Sequence, residues 1–227
     1  MTLLDFPGRV ACTVFLGGCN FRCPFCHNSE ILDGKEEAVM DDQELLAFLA
    51  KRKGILDGVC ITGGEPTLKA GLEDLLREIK ALGYPVKLDT NGYRPDVLKK
   101  LVSEDLVDYV AMDIKNGPDD YGKTVGLSNM DLSRIEESIR FLAQGKADYE
   151  FRTTVVAQLH SEESVAQMGK WLLDVAGRPV KQLFLQSFVD RDTVMFAGLH
   201  AHTEAQMARF AEILEPFAEN VKIRGMD

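Results

Sequence analysis

The sequence predicts an α/β fold, a parallel sheet covered by helices, on three observations. β-rich runs alternate with amphipathic segments of helical period along the chain. The runs are near-continuously apolar, as in strands covered on both faces. No repeat, low-complexity stretch or Pro/Gly/Ser-rich linker divides the chain, so residues 1–227 are expected to form a single domain. In order, strands are expected at 11–16, 58–62, 86–89, 109–114, 150–156 and 182–186, with a short edge strand at 221–224. Helices are expected between and after them at 41–53, 70–82, 95–102, 131–144, 161–176 and 203–218. The first helix has its own start signal in Asp41 with Glu44, the third has Pro95 in its first turn, and the last has Thr203 with Gln206 as a capping box.

Six β-then-α units wind right-handed into a parallel sheet. Periodicity leaves open whether that sheet is doubly wound or curved into a partial (βα)6 barrel. In barrels the working residues gather at the C-terminal ends of several strands. The placement of polar residues therefore bears on the choice.

Composition narrows the function. Hydrophobic residues at 45% and charged residues at 27% exclude a disordered, collagen-like or coiled-coil chain. Lys and Arg number 26 against 36 Asp and Glu, a net charge of −10, which argues against nucleic acid and against an anionic membrane surface as partner. No apolar run reaches the roughly 18 residues of a membrane helix, and the N-terminus lacks a basic-then-apolar design, so a cytoplasmic protein is expected. Five cysteines, three of them within eight residues, form no disulfide framework and point to metal or redox chemistry.

The residues after each expected strand carry the chemistry. Cys19, Cys23, Cys26 and His27 follow the first, Gly63-Gly64-Glu65-Pro66-Thr67 the second and Asp89-Thr90-Asn91-Gly92 the third, while Asp113-Ile114-Lys115 ends the fourth. Three thiolates at C-x3-C-x2-C can hold three irons of a cubic 4Fe-4S cluster and leave the fourth open, and an open position is what marks a catalytic metal site. The competing reading is a zinc knot that adds His27. It requires adjacent residues, Cys26 and His27, to ligate the same ion, and no second ligand pair follows.

Cys19, Cys23, Phe25 and Cys26 in C-x3-C-x-Φ-C order, followed by Gly63-Gly64-Glu65-Pro66, resemble the two motifs of the radical S-adenosylmethionine (SAM) enzymes. Asp5-Phe6-Pro7-Gly8, Cys26-His27-Asn28, Asp89-Thr90-Asn91-Gly92 and Met112-Asp113-Ile114-Lys115 extend the resemblance to the activases of glycyl-radical enzymes. Leu185-Gln186-Ser187-Phe188 and the tail 221–225 are most similar to activators of anaerobic ribonucleoside-triphosphate reductase. The resemblance implies a partial (βα)6 barrel, a 4Fe-4S cluster and S-adenosylmethionine as cofactors, and a flavodoxin- or ferredoxin-type electron donor. It further implies a glycyl-radical enzyme as protein partner, from whose glycine the 5′-deoxyadenosyl radical takes a hydrogen atom. Cys19, Cys23 and Cys26 would ligate the cluster, and Phe25 would contribute to the adenine pocket. Gly63, Gly64 and Glu65 would lie near the methionyl amine, and Lys115 and Arg152 near its carboxylate. Asp89 and Asp113 would face each other near the cofactor, where relatives hold a monovalent cation, and Asp5 and His27 would meet the incoming glycine loop.

Plainer readings stand beside these. Asn91-Gly92 alone is a turn dipeptide, Gly63-Gly64-Glu65-Pro66 alone a strand-ending turn, and Asp113 with Lys115 an i, i+2 salt bridge. Arg152 also reads as a rim ion-pair residue. Cys12 and Cys60 read as small buried hydrophobes, His200 and His202 as solvent-exposed, His160 as the residue before a helix start, and the Met and Phe residues of 195–217 as core. Activators of pyruvate formate-lyase place a histidine near the cofactor ribose where this chain has Gln186-Ser187-Phe188, so the ribose contact has no candidate. The alternatives are an activase of pyruvate formate-lyase or another glycyl-radical enzyme, a radical SAM enzyme acting on a small molecule, and a non-catalytic iron-sulfur or zinc protein.

Overall fold

In the computed structural model, which describes residues 2–226, seven parallel strands form one sheet in chain order. They are β1 (Ala11–Leu16), β2 (Gly58–Gly63), β3 (Val86–Thr90), β4 (Tyr109–Asp113), β5 (Asp148–Val155), β6 (Leu183–Ser187) and β7 (Val221–Arg224). A doubly wound sheet reverses its strand order at a switch point. This sheet has no reversal, so right-handed crossovers put the helices on one face, and the sheet curls with that face outward. The result is the partial barrel, with β7 as an added edge strand.

The helices are α1 (Asp42–Lys51), α2 (Leu72–Ala81), α3 (Pro95–Ser103), α4 (Pro118–Thr124), α5 (Leu132–Ala143), α6 (Glu162–Ala176) and α7 (Glu204–Leu214). Asp41 and Glu44 close a full capping box on α1. Thr203 supplies only half of one: its side chain accepts from the Gln206 N–H at 3.2 Å, while the Gln206 amide donates instead to Glu162. The last helix also stops short of the expected 218. Pro216 cannot donate to an α-helical ladder, and Glu215–Phe217 tighten into a 3-10 turn. α4 was not expected, because its seven residues, PDDYGKT, bury only Tyr121 and Thr124 and show no helical period.

Residues paired in parallel register share a face of the sheet. The register Thr13–Cys60–Lys87–Tyr109–Asp148 therefore defines one face, and Asp113–Arg152–Phe184–Lys222 continues it. That inner face is largely polar. Val59, Ile61, Val86, Leu88, Val110, Met112, Phe151, Leu183 and Leu185 alternate with it and are buried under the helices. The strands are thus two-faced, in place of the continuously apolar strands expected. Each fully buried Leu, Ile or Val of the outer layer contributes about 2 kcal/mol. The apolar outer layer holds the sheet, and the barrel interior is free to carry charge.

Candidate functional site

The polar interior opens at the C-terminal ends of the strands into a cavity of about 230 Å³. Cys19, Cys23, Phe25, Cys26, His27, Gly63, Gly64, Asp89, Asp113, Lys115 and Arg152 line it. The fold thus brings together residues from β1 to β5 that lie far apart in sequence.

The cysteine loop leaves β1 through Gly17 and Gly18 and is tied down along its length. Gly18 and Cys19 N–H groups donate to the Ile31 and Leu32 carbonyls at 2.7 and 2.9 Å, and Cys26 N–H donates to Cys23 O at 3.1 Å. The Arg22 guanidinium donates to the Cys19 and Phe21 carbonyls at 2.7 and 2.8 Å and pairs with Asp33. Phe21 N–H donates to the Cys19 sulfur at 3.4 Å. On the far side, the loop meets the segment after β6: His27 Nε2 lies 2.6 Å from Val189 O, its ring stacks on Phe188, and Ser29 Oγ donates to Thr193 O. Burial, opposed by Lys115 and reinforced by the neighbouring thiols, pushes Cys23 up to about 11, and burial likewise raises Cys19.

Gly63 and Gly64 meet a requirement of the chain itself. Gly63 has φ 129°, and a Cβ there would run into the Leu16 backbone; a Cβ on Gly64 would run into Gly18 O. The β2 tip therefore packs backbone to backbone against the start of the cysteine loop. Glu65 does not line the cavity. Its buried carboxylate accepts from Thr67 N at 3.1 Å, Thr90 Oγ1 at 2.7 Å and Asn91 N at 2.6 Å, and so ties the β2 tip to the β3 tip. Asp5 also stays outside, accepting from Thr13 Oγ1 at 2.7 Å.

Asp89 and Asp113 flank the cavity floor, and the Arg152 guanidinium lies between them. Its Nη1 is 3.0 Å from Asp89 Oδ2 and its Nε 3.1 Å from Asp113 Oδ1. Lys115 Nζ is 2.9 Å from Asp113 Oδ2, and it lies 5.9 Å from the Phe25 ring centroid. Burial alone would raise the Asp113 pKa, but Lys115 and Arg152 outweigh it and hold the carboxylate down at about 2. Burial likewise opposes the charge on Lys115 and Arg152, and the facing carboxylates raise both. The salt bridge and the cavity-lining role, alternatives in the sequence, coexist.

Thr62, Asn28, Asn91, Thr154 and Gln186 also line the cavity. None was among the candidates. The signal for Thr154 was its position two residues beyond Arg152 on one strand, and Gln186 sits beside Thr154 in register. Cys60 is buried, yet its surroundings are ionic, with its sulfur 3.8 Å from both Lys87 Nζ and Asp89 Oδ1; burial first, then Asp89, pushes its thiol up to about 12. His202 departs from the solvent-exposed reading: its Nε2 lies 3.0 Å from His160 O and its ring packs edge-on against Phe210. Met195 and Phe196 are exposed, not core.

The donor set fits an iron-sulfur cluster better than a mononuclear ion. Among the described residues no three His, Cys, Asp or Glu side chains converge closely enough to hold one metal ion. A cube instead takes each thiolate on its own iron, so its ligands stand apart. The Asn20 amide, one residue from Cys19, has a buried N–H group without a partner.

Residues 13–171 match the family model of the radical SAM superfamily, and the chain belongs to that superfamily. Its cofactors are accordingly a 4Fe-4S cluster and S-adenosylmethionine. Within the superfamily it falls among the activating enzymes of glycyl-radical enzymes. A protein of Methanocaldococcus jannaschii that carries the provisional name glycyl-radical enzyme activating enzyme is 30% identical over 99% of this chain and 92% of its own length. The pyruvate formate-lyase 1-activating enzyme of Escherichia coli is 30% identical over 76% of this chain and 72% of its own. Among solved structures, Streptococcus suis SuiB bound to S-adenosylmethionine superposes with a TM-score of 0.73 at 13% identity, covering 97% of this chain and 50% of SuiB. A domain of a pyruvate-formate lyase-activating enzyme from Bacteroides vulgatus does so with a TM-score of 0.59 at 18% identity, covering 74% of this chain and 99% of that one. Both share the fold. The chain spans half the length of SuiB.

Proposed function

We propose that this activase installs the glycyl radical on anaerobic ribonucleoside-triphosphate reductase, with Cys19, Cys23 and Cys26 as cluster ligands. Held there, the cluster and the sulfonium cofactor would supply one-electron chemistry, with a flavodoxin- or ferredoxin-type donor as the source of the electron and the partner's glycine as the source of the hydrogen atom. The chain's own residues hold and orient. Lys115, free on its cavity side, offers a point charge to the methionyl carboxylate, and Phe25 lines the wall beside it. Thr154 and Gln186 offer hydroxyl and amide groups for the ribose. His27, fixed by Phe188 and Val189, stands at the rim where a glycine loop enters.

The observation that carries the choice of partner is Gln186. It lines the cavity where pyruvate formate-lyase activators place histidine, within a stretch similar to the reductase activators. The 30% identity to a pyruvate formate-lyase activating enzyme supports that enzyme as the second reading.

The test is anaerobic reconstitution, reduction, and electron paramagnetic resonance after mixing with each candidate partner from the same source. A glycyl doublet on the reductase and none on pyruvate formate-lyase is expected; the reverse pattern overturns the choice. Cys23→Ala should abolish conversion of S-adenosylmethionine to 5′-deoxyadenosine, while Cys12→Ala, on the helix-covered face of β1, should retain it.

A further inference from the structure

Beneath the cavity floor lies a lysine that the proposed function does not use. Lys87 is on the inner face of β3, one strand pitch below Asp89, with its side chain 2% exposed. Its ammonium touches Asp89 Oδ1 and the Cys60 sulfur. No other carboxylate pairs with it among the described residues. Burying an ammonium carries a desolvation cost that a single acidic partner offsets only in part.

The contacts run as an alternating row across three strands. Lys87 takes one oxygen of Asp89 and Arg152 the other; Arg152 also takes one oxygen of Asp113, and Lys115 the other. Three cations thus face two carboxylates, a surplus of one positive charge. Lys115, at the open end, lines the cavity, whereas Lys87 is sealed at the closed end. Without Lys87 the row would be neutral, and its open end would have no uncompensated charge to give an anion. Between Asp89 and Asp113, where the family resemblance implied a monovalent cation, the Arg152 guanidinium takes one oxygen of each carboxylate. The Lys87 ammonium takes the remaining Asp89 oxygen, the position a small cation would occupy in its place.

We propose that Lys87 is a positioning residue of the cofactor site: by neutralising Asp89 from within the barrel, it leaves Arg152 and Lys115 with net positive charge for a carboxylate, and it replaces a bound monovalent cation. This rests on the assignment of the cavity to S-adenosylmethionine. A carboxylate-bearing ligand is the chemistry recognised, and the apolar isostere Lys87→Met should discriminate against it.

The experiment is equilibrium binding of S-adenosylmethionine and of its decarboxylated form to cluster-loaded, unreduced protein, in choline chloride and in potassium chloride. The wild type should bind S-adenosylmethionine equally in both salts, within twofold. Lys87→Met should bind it about tenfold more weakly in choline, recover in potassium, and bind the decarboxylated form like the wild type. A wild-type affinity that rises fivefold or more with potassium overturns the proposal, and this arm stands even where the variant fails to fold. Equal weakening for both ligands, or no weakening, also overturns it. Absence of binding by the wild type would overturn the cofactor-site assignment as well, which separates the two failures.

Discussion

His160 shows how one side chain sets the position of another. It is buried just before α6, its Nδ1 accepts the Val156 N–H at 3.0 Å, and its Nε2 lies 2.9 Å from the Lys115 carbonyl. An accepting Nδ1 carries no proton, so the hydrogen-bond pattern assigns the proton to Nε2, which donates to Lys115 O and fixes the backbone that carries the Lys115 ammonium. Burial is the chief cause that holds the His160 pKa below its usual 6.5, against the pull of the two carbonyls. A base with a depressed folded pKa binds its proton more readily when unfolded. Stability should therefore fall as pH drops below 6.5, by at most about 1.4 kcal/mol per pH unit from this group. Urea unfolding between pH 7 and 5 checks this: His160→Gln should flatten the slope relative to wild type, and an unchanged slope would assign it elsewhere. Gly64 is constrained by sterics alone. Gly64→Ala drives a methyl group into Gly18 O and should cost about 1–3 kcal/mol in the same assay, without any cofactor present.

At the scale of elements, β7 shows how a four-residue edge strand is held. Arg224 donates to both oxygens of Glu150 at 3.1 and 3.2 Å, Tyr109 donates to the same carboxylate at 2.9 Å, and the guanidinium lies 3.4 Å from the Phe184 ring centroid. Glu150 is buried, so Arg224→Met leaves a carboxylate without its cation and should cost about 3 kcal/mol, the lower end for a broken buried pair because Arg224 itself is partly exposed. Adding Glu150→Gln should recover most of that loss; chemical denaturation followed by Trp171 fluorescence measures the cycle, and additive losses would show that the pair is uncoupled. Such inner-face pairs explain what was legible in the sequence. The alternation of strands and helices was readable because most outer-face residues, such as Val86 or Leu88, are apolar and every helix except α4 has a buried apolar stripe. The cysteine loop was readable because its ligand spacing is local. Sheet curvature was not readable from periodicity, since strand order depends on pairings between distant segments; the resemblance of the cysteine and glycine motifs carried it. Lys87 and Thr154 went unnoticed because each is chemically meaningful only beside a residue two positions along the strand, Asp89 and Arg152, once both are known to face inward. Glu65 was placed near the cofactor by its motif, yet in the fold its carboxylate is turned to the β3 tip.

For the molecule as a whole, the consequence of an incomplete barrel is an inner face that stays partly exposed among the described residues. Phe15 pairs in register with Thr62, a cavity-lining residue, so its ring projects from the inner face of β1; yet it is 58% exposed. A large aromatic on the inside of a closed barrel would be buried by the opposite strands. Here β1 and β7 are the two edges of the sheet, so the ring stands on an edge strand and the inner face beside it is open. A small-molecule enzyme has no need of that opening once its substrate is enclosed, whereas the glycine-bearing protein segment proposed as substrate would use it and cover the ring. Truncation of a central aromatic at a protein interface costs about 2 kcal/mol or more, which corresponds to a roughly 30-fold weaker interaction. Phe15→Ala should therefore raise the half-saturating concentration of the glycyl-radical partner by about that factor, read from the glycyl doublet as partner is titrated. Cleavage of S-adenosylmethionine in the absence of partner should stay within twofold of wild type, because the ring lies away from the Asp89–Arg152–Asp113–Lys115 row. Equal loss of both activities would place Phe15 with the cofactor and leave the opening without a role in docking.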